Sequence, residues 1–249
     1  NQNHNKSNIM GITRGPNIIM DGLVFMADAA NPDSYPGSGT TWNDLTTTQN
    51  HGTLTNGPTF DSGNGGNIDF DGTSDIVEFG SSNLLTGDNC QACTLSGWVK
   101  WTSTGTGYIA SIKRSASDST LFAISVNQKA SGQPQTGTAC IVLRNAADSA
   151  HTYTFYDGDY NDDIWHNVVG RVNGSTINLF VDGIAVKQST AGMQDVSGNT
   201  ANFTIGAFAT SNTLHDIDGS IAQVSFYRRA LDSDEILHNY NALKGRFGL

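Results

Sequence analysis

Glutamate is nearly missing from this chain: two occur in 249 residues, Glu78 and Glu235. Lysine and arginine together number 13, and the charged share is only 14%. Helical proteins of this size fill their exposed helix faces with Glu, Lys and Arg. A mostly helical fold is therefore excluded. No apolar run approaches the roughly 20 residues that a membrane-spanning helix requires. The opening "NQNHNKSNIMGITRGPN" has neither an apolar signal core nor an initiator Met, so the numbered chain is expected to be a processed or trimmed form. Positive charge is scarce: 23 acids against 13 bases give a net charge of −10. A nucleic-acid partner would call for a basic footprint, and anionic lipid would repel this surface. Neither partner is expected.

Cysteines are three, Cys90, Cys93 and Cys140. "CQAC" has the spacing of a redox or zinc-knuckle pair. No second pair completes four zinc ligands and no βαβ pattern surrounds it. Structural roles are expected, either three thiols or one disulfide with one cysteine over.

What the chain does hold is glycine, serine, threonine and asparagine between short apolar runs. "GLVFMADA", "NIDF", "IVEF", "TLSGWVKW", "GYIASI", "LFAISV", "CIVLR", "TYTFY", "WHNVVGRV", "TINLFV", "IAVKQS", "NFTIGAF" and "SIAQVSFY" all have strand length and turn-forming flanks. Asn173-Gly174 and Asp182-Gly183 mark two hairpins of type I′, because both residue pairs tolerate positive φ. One helix is predicted over about 232–244. Asp232 or Ser233 caps it, Ile236, Leu237, Tyr240 and Leu243 form its apolar face, and Gly245 ends it. With no linker-like break, residues 21–249 read as one all-β, two-sheet antiparallel sandwich with a short C-terminal helix. Residues 1–20 read as a polar arm. Its isolated anchors Ile9, Met10, Ile12, Ile18 and Ile19 are expected to gain order by lying against another chain.

Three segments carry a resemblance. "WHNVVGRVNGSTINLFVDG" is similar to the Trp-His strand, hairpin and Asp-Gly turn of laminin-G-like, concanavalin A-like jelly rolls. "FTIGAFATSNTLHDIDGSIAQVSFYRRALDSDEI" resembles that family's closing stretch, and "NIDFDGTSDIVEF" its Phe-Asp-Gly turn. Together they span about residues 67–240. The front, "GPNIIMDGLVFMADAANPDSYPGSGTTWNDLTTTQNHGTLTNGPTF", resembles the opening of laminin-G-like structural proteins of tailed bacteriophages. The resemblance implies a virion exterior, as a capsid decoration or fibre-type component, with other virion proteins or further copies of the chain as partners. Weak adhesion to host-surface glycans is a secondary expectation. A secreted or cell-surface bacterial carbohydrate-binding module is the alternative, and a glycoside hydrolase the third reading.

Asp157, Asp159 and Asn161 start like a calcium loop, but Asp162 stands where that loop needs Gly and Val168 where it needs Glu. Its acids are expected to solvate a turn. Trp165 and His166 are strand neighbours and face opposite ways, so Trp165 is expected in the core and His166 half-buried. No Gly-x-Ser-x-Gly elbow occurs. The glucanases on this fold draw their carboxylates from a Glu-x-Asp-x-x-Glu-like strand that the chain lacks, so no catalytic residue is expected. Such sandwiches often carry a structural calcium, the one cofactor considered, and Asp28, Asp216 and Asp218 are its expected ligands. Ala222-Gln223 stands where many relatives carry a further acid. For glycan contact, aromatic faces near turns count: Tyr35, Trp42, and above all Trp101, Tyr108, Tyr156 and Tyr160.

Overall fold

The computed structural model describes residues 18–82, 84, 91–114, 120–130, 133–145, 147, 149–192, 201–208 and 215–249. In chain order the strands begin with β1 (Leu23–Asp28), β2 (Thr41–Trp42), β3 (Gly52–Thr55), β4 (Thr59–Asp61), β5 (Asn67–Asp71), β6 (Ile76–Ser82), β7 (Ala92–Trp101) and β8 (Gly107–Arg114). They continue with β9 (Thr120–Ala130), β10 (Gln133–Arg144), β11 (His151–Asp157), β12 (His166–Asn173), β13 (Thr176–Val181), β14 (Ile184–Thr190), β15 (Ala201–Ile205) and β16 (Asp218–Tyr227). Helix α1 (Ser233–Lys244) follows.

The strands form two antiparallel sheets. One runs β14-β13-β12-β7-β16-β5-β4, with β1 also on β16; the other runs β11-β10-β9-β8-β15-β6-β3-β2. The jelly-roll sandwich expected from the sequence is the observed architecture. Between the sheets lie Phe25, Val99, Ile109, Phe122, Ile124, Val168, Phe203 and Phe226, all buried. Cys93 belongs to this core, while Cys140 lies in a separate buried cluster where burial pushes its thiol up to about 12. Cys90 lies outside the described residues.

Helix α1 is built as its sequence requires. Asp232 accepts from Glu235 N–H while the Glu235 carboxylate accepts from Asp232 N–H, a reciprocal capping box. Ile236 and Leu243 are buried beneath it; Leu237 is exposed. The helix and the turn after it cover the outer face of the first sheet. There Trp98 is stacked between Phe247 (4.3 Å) and Tyr240 (5.6 Å), and Trp165 packs on Phe247 at 4.8 Å. Trp165 is thus buried as expected, but under the helix rather than between the sheets.

The hairpins divide. Asp182 and Gly183 both have positive φ (53° and 79°), as type I′ demands. At the other, Asn173 still pairs with Thr176, and of the turn residues Gly174 alone has positive φ. That is the type II′ pattern, with glycine at the first central position.

Ile18 and Ile19, expected to reach another chain, pack instead on their own domain. Ile18 joins Trp98, Trp165, Leu243 and Phe247, and Ile19 lies against Val169, Tyr227 and Ile236. Ile19 N–H donates to Asn239 Oδ1 (2.8 Å) and Tyr227 hydroxyl donates to Ile19 C=O (3.0 Å). Apolar side chains adjacent to a half-covered sheet gain more by burial there than by waiting for a partner. Ile9, Met10 and Ile12 lie outside the described residues. Among the described residues no helix is long and apolar enough to cross a membrane.

Ile18→Ala should cost about 2 kcal/mol, the low end for truncating a buried aliphatic because the site is peripheral. Urea denaturation with an unchanged m-value checks it; an effect near zero would put Ile18 outside the domain.

Candidate ligand-binding site

Strand direction brings a set of loops to one end of the sandwich. Asp71 at the end of β5 pairs with Asp218 at the start of β16, and Trp101 at the end of β7 pairs with Gly219. The turns after β5 and β7 and the segment before β16 therefore meet at one level. His166, opening β12, pairs with Val99 and places the 158–165 loop at the same end.

Between these loops is a cavity of about 600 Å³ lined by Asp71, Thr102–Thr106, His215, Asp216 and Asp218. Backbone bonds hold its floor. Gly72 N–H donates to Ile217 C=O (3.1 Å), Ile217 N–H to Gly206 C=O (2.8 Å), and Tyr108 N–H to His215 C=O (3.1 Å). Gly72 has φ of 72°, and a Cβ there would stand 2.7 Å from Cβ of Asp218. Only glycine permits that approach.

The 102–106 wall is fixed by one buried residue, Asn127. Its Oδ1 accepts from Trp101 Nε1 (3.2 Å) and Gly137 N–H (2.8 Å). Its Nδ2 donates to Ser103 C=O (2.8 Å) and Gly105 C=O (2.9 Å), and Thr106 Oγ1 donates to its carbonyl (3.0 Å). Every hydrogen-bonding position of the amide is met, so the loop is held without a ligand.

Electrostatics at the cavity are one-sided. Asp75, 4% exposed, accepts from Asp71 N–H at 3.1 Å and sits behind the wall. Burial, then the charges of Asp71 and Asp75, push the Asp216 carboxyl up to about 6. Burial lowers His215, so its imidazole is neutral at pH 7.

The neighbouring loop holds the aromatic candidates. Tyr156 is exposed; Tyr160 is half-buried, its ring 6.5 Å from Tyr156 and 4.9 Å from His166. Burial, then the charge of Asp182 and the Tyr156 phenol, push Tyr160 up to about 12, which keeps it a donor. His166 is more buried than expected. Its Nδ1 faces Asp182 Oδ2 (2.8 Å) and its Nε2 faces Asp162 Oδ1 (3.3 Å). Burial alone would lower it, but Asp182 first and Asp162 second hold it above its usual range. Asp162 Oδ1 also accepts from Ile164 N–H, Asp163 pairs with Lys100 at 3.2 Å, and Asp157 accepts from Gln135. These acids hold the turn together; Asp159 adopts φ of 54° within it.

Other expected contacts are corrected. Trp101 (1% exposed) and Tyr108 (2%) lie under the rim and support it. Tyr35 and Trp42 are likewise buried. In a two-sheet sandwich an indole or phenol at a strand end gains more beneath the loops than on them. Asp28 does not join Asp216 and Asp218. It pairs with Gln223 across β1 and β16, roughly 16 Å along the strand from Asp218 at ~3.3 Å per residue. Arg246 Nη1 holds it at 2.7 Å, clamping the chain's C-terminal turn. Among the described residues no three His, Cys, Asp or Glu side chains converge to hold a metal ion.

Sequence reasoning missed Asn127, Asp71 and the Thr102–Thr106 wall. Asp71 stood in the quoted Phe-Asp-Gly turn, and "TSTGTG" is a polar stretch with no apolar residue. Asn127 carries no such signal, because its role comes from a left-handed φ of 54° inside β9.

An antiparallel jelly roll with a polar, loop-built cavity at one end defines the class. The chain belongs to the laminin-G-like family of the concanavalin A-like lectin/glucanase superfamily, whose model matches residues 71–237. No curated protein matches the chain at a significant level. Among solved structures it is similar to a Trypanosoma rangeli sialidase in complex with sialic acid (TM-score 0.63, 16% identity, covering 90% of this chain and 33% of that one). It is also similar to the botulinum neurotoxin serotype D binding domain (TM-score 0.62, 12% identity, covering 89% of this chain and 52% of that one). The chain therefore spans about half of one and a third of the other, and the likeness is one of fold. Solved relatives include both a binding domain and an enzyme-bearing chain.

Two titrations test the site. Asp182→Asn should lower the His166 pKa, read from its Cε1 proton by NMR. It should also remove stability that is present below pH ~6.5 and lost as pH rises through the folded value. An unmoved titration would separate His166 from Asp182. For Asp216 the sign is opposite: its folded pKa of about 6 exceeds the 3.8 of the free carboxyl. Stability therefore falls as pH rises from about 4 to about 6. Asp216→Asn should stabilise the protein at pH 8, by about 1–3 kcal/mol at ~1.4 kcal/mol per pKa unit, with no gain at pH 3.5. Equal melting shifts at both pH values would refute this.

Proposed function

We propose that this chain is a non-enzymatic carbohydrate-binding domain of an exterior surface, and that the surface is a virion's. The observation that carries the binding role is the cavity between Asp71-Gly72, the 102–106 segment and the 215–218 segment. It is walled by hydroxyls, carbonyls and carboxylates and fixed in advance by Asn127. Its volume falls in the about 300–1,000 Å³ range of small-ligand clefts, and its hydroxyls and carbonyls can pair with the hydroxyl groups of a sugar. A wall already ordered spares the cost of ordering it on binding. The sialidase relative was solved with sialic acid, and the neurotoxin relatives are named as binding and receptor-binding domains. Both support a ligand-binding role at a fold-level distance.

The virion assignment rests on the front segment's resemblance to phage structural proteins. In this reading residues 1–17, with Ile9, Met10 and Ile12, are the attachment segment.

Against catalysis stands the use of both glutamates. Glu235 belongs to the capping box and to a two-point pair with Arg229 (2.6 and 2.7 Å), and Glu78 lies within β6 beside Thr55. A hydrolase reading has one observation in its favour, the raised carboxyl of Asp216 beside Asp71, since glycosidases pair a raised acid with an ionised carboxylate.

A glycan array followed by a reducing-end assay on the bound sugars separates the two. Binding without turnover, weakened at least tenfold by Thr104→Val combined with Asp218→Asn, is expected. Turnover abolished by Asp216→Asn would make the chain a hydrolase.

A further inference from the structure

The cavity carries negative charge that no described lining residue offsets. Asp71 and Asp218 stand directly opposite one another across β5 and β16, a placement in which like charges repel. Asp75 is buried behind them. None of the described residues lining the cavity is lysine or arginine. Asp216 is 8% exposed, and its Oδ2 has no hydrogen-bond partner. That oxygen is itself out of contact with solvent and bears its full desolvation penalty, so it places uncompensated negative charge directly at the cavity lining. Burial and the neighbouring acids raise this carboxyl, as expected where negative charge is concentrated and unpaired.

The occupant that offsets this charge brings positive charge and N–H donors. A bare calcium ion needs six to eight oxygens at about 2.3–2.6 Å. Among the described residues no three acidic or imidazole side chains converge for an ion, and the space of about 600 Å³ is far larger than one. A cationic group carried on a polar body of sugar size satisfies charge and volume together. The Thr102–Thr106 wall supplies hydroxyls and carbonyls for that body, and the neutral His215 ring adds a polar edge without opposing charge.

We propose that the cavity binds an amino sugar with a free ammonium group, the ammonium meeting Asp216 and Asp218 and the ring hydroxyls meeting the Thr102–Thr106 wall. This rests on the carbohydrate-binding reading and gives it a sign. Cationic sugars are taken; sialic acid and uronates, whose carboxylates would add to the acidic group, are rejected. The site is thus opposite in charge preference to what the sialic-acid complex of the sialidase relative would suggest.

Titration calorimetry at pH 7 in 0.1 M salt tests it on the full chain. The ligands are the trimer of glucosamine, its fully N-acetylated form, 3′-sialyllactose, and calcium chloride alone. The glucosamine trimer should bind at least tenfold more tightly than the acetylated trimer, and sialyllactose should not bind. Raising salt to 0.5 M should weaken the cationic ligand and leave any neutral one unmoved. Asp216→Asn and Asp218→Asn should each weaken the glucosamine trimer about tenfold with an unchanged circular dichroism spectrum. Equal affinity for the acetylated trimer would overturn the cationic assignment and leave the carbohydrate reading standing. Calcium binding that Asp216→Asn removes would overturn it in favour of a metal. No binding by any sugar here or on the array would remove both.

Discussion

The pairing of β16 is the interaction on which the rest of the structure depends. This strand lies inside the first sheet, with β7 along one side and β1 and β5 sharing the other. Its side chains alternate between the sandwich core, through Ile221, Val224 and Phe226, and the helix-covered face, through Ala222 and Tyr227. Its first residues set the level of the cavity, and its last lead into the capped helix. Core, outer cover and the cavity between the loops are three faces of one strand. A change in its register would move all of them, because a slip of one residue exchanges the two faces.

The cavity shows how rigidity and instability are combined at one place. Asn127 satisfies its wall completely, while Asp216 is left unsatisfied a few residues before β16. The first keeps the loops in place; the second leaves a desolvation cost uncompensated within the fold. The cost of the unpartnered carboxyl is borne by the packing of the surrounding sandwich. The large buried aromatics Trp98, Trp101 and Phe226 are part of that surround.

Most of the architecture was legible in the sequence because it depends on local signals. Alternating apolar runs, the Asp182-Gly183 turn and the helix cap at Asp232 each act within a few residues, and each was found where it was read. The helix boundaries followed from the cap at its start and Gly245 after its end. The aromatic platform was not legible in the same way. Trp101 and Tyr108 sit at strand ends, where sequence does not tell a rim residue from one tucked beneath the rim; that is decided by which loop folds over them. Asp28 failed as a ligand for a related reason. Its strand does neighbour β16, but the register places it opposite Gln223, and its partner Arg246 lies far along the chain. The terminal isoleucines were misassigned because their apolar partners on α1 and β16 come more than 200 residues later.

The pairing of β1 with β16 also sets a timetable for biosynthesis. Phe25 pairs with Phe226, so on a ribosome adding about 5–20 residues per second the first strand waits roughly 10–40 s for its neighbour to be made. Through that interval "LVFM" has no ladder to join, and the sandwich cannot close from its N-terminal half. Early nucleation falls to pairings at short sequence separation, chiefly the meanders β8-β9-β10-β11 and β12-β13-β14. The nascent chain is therefore expected to depend on holdase chaperones, or on the solubilising effect of its own acidic surface, until the final strand emerges.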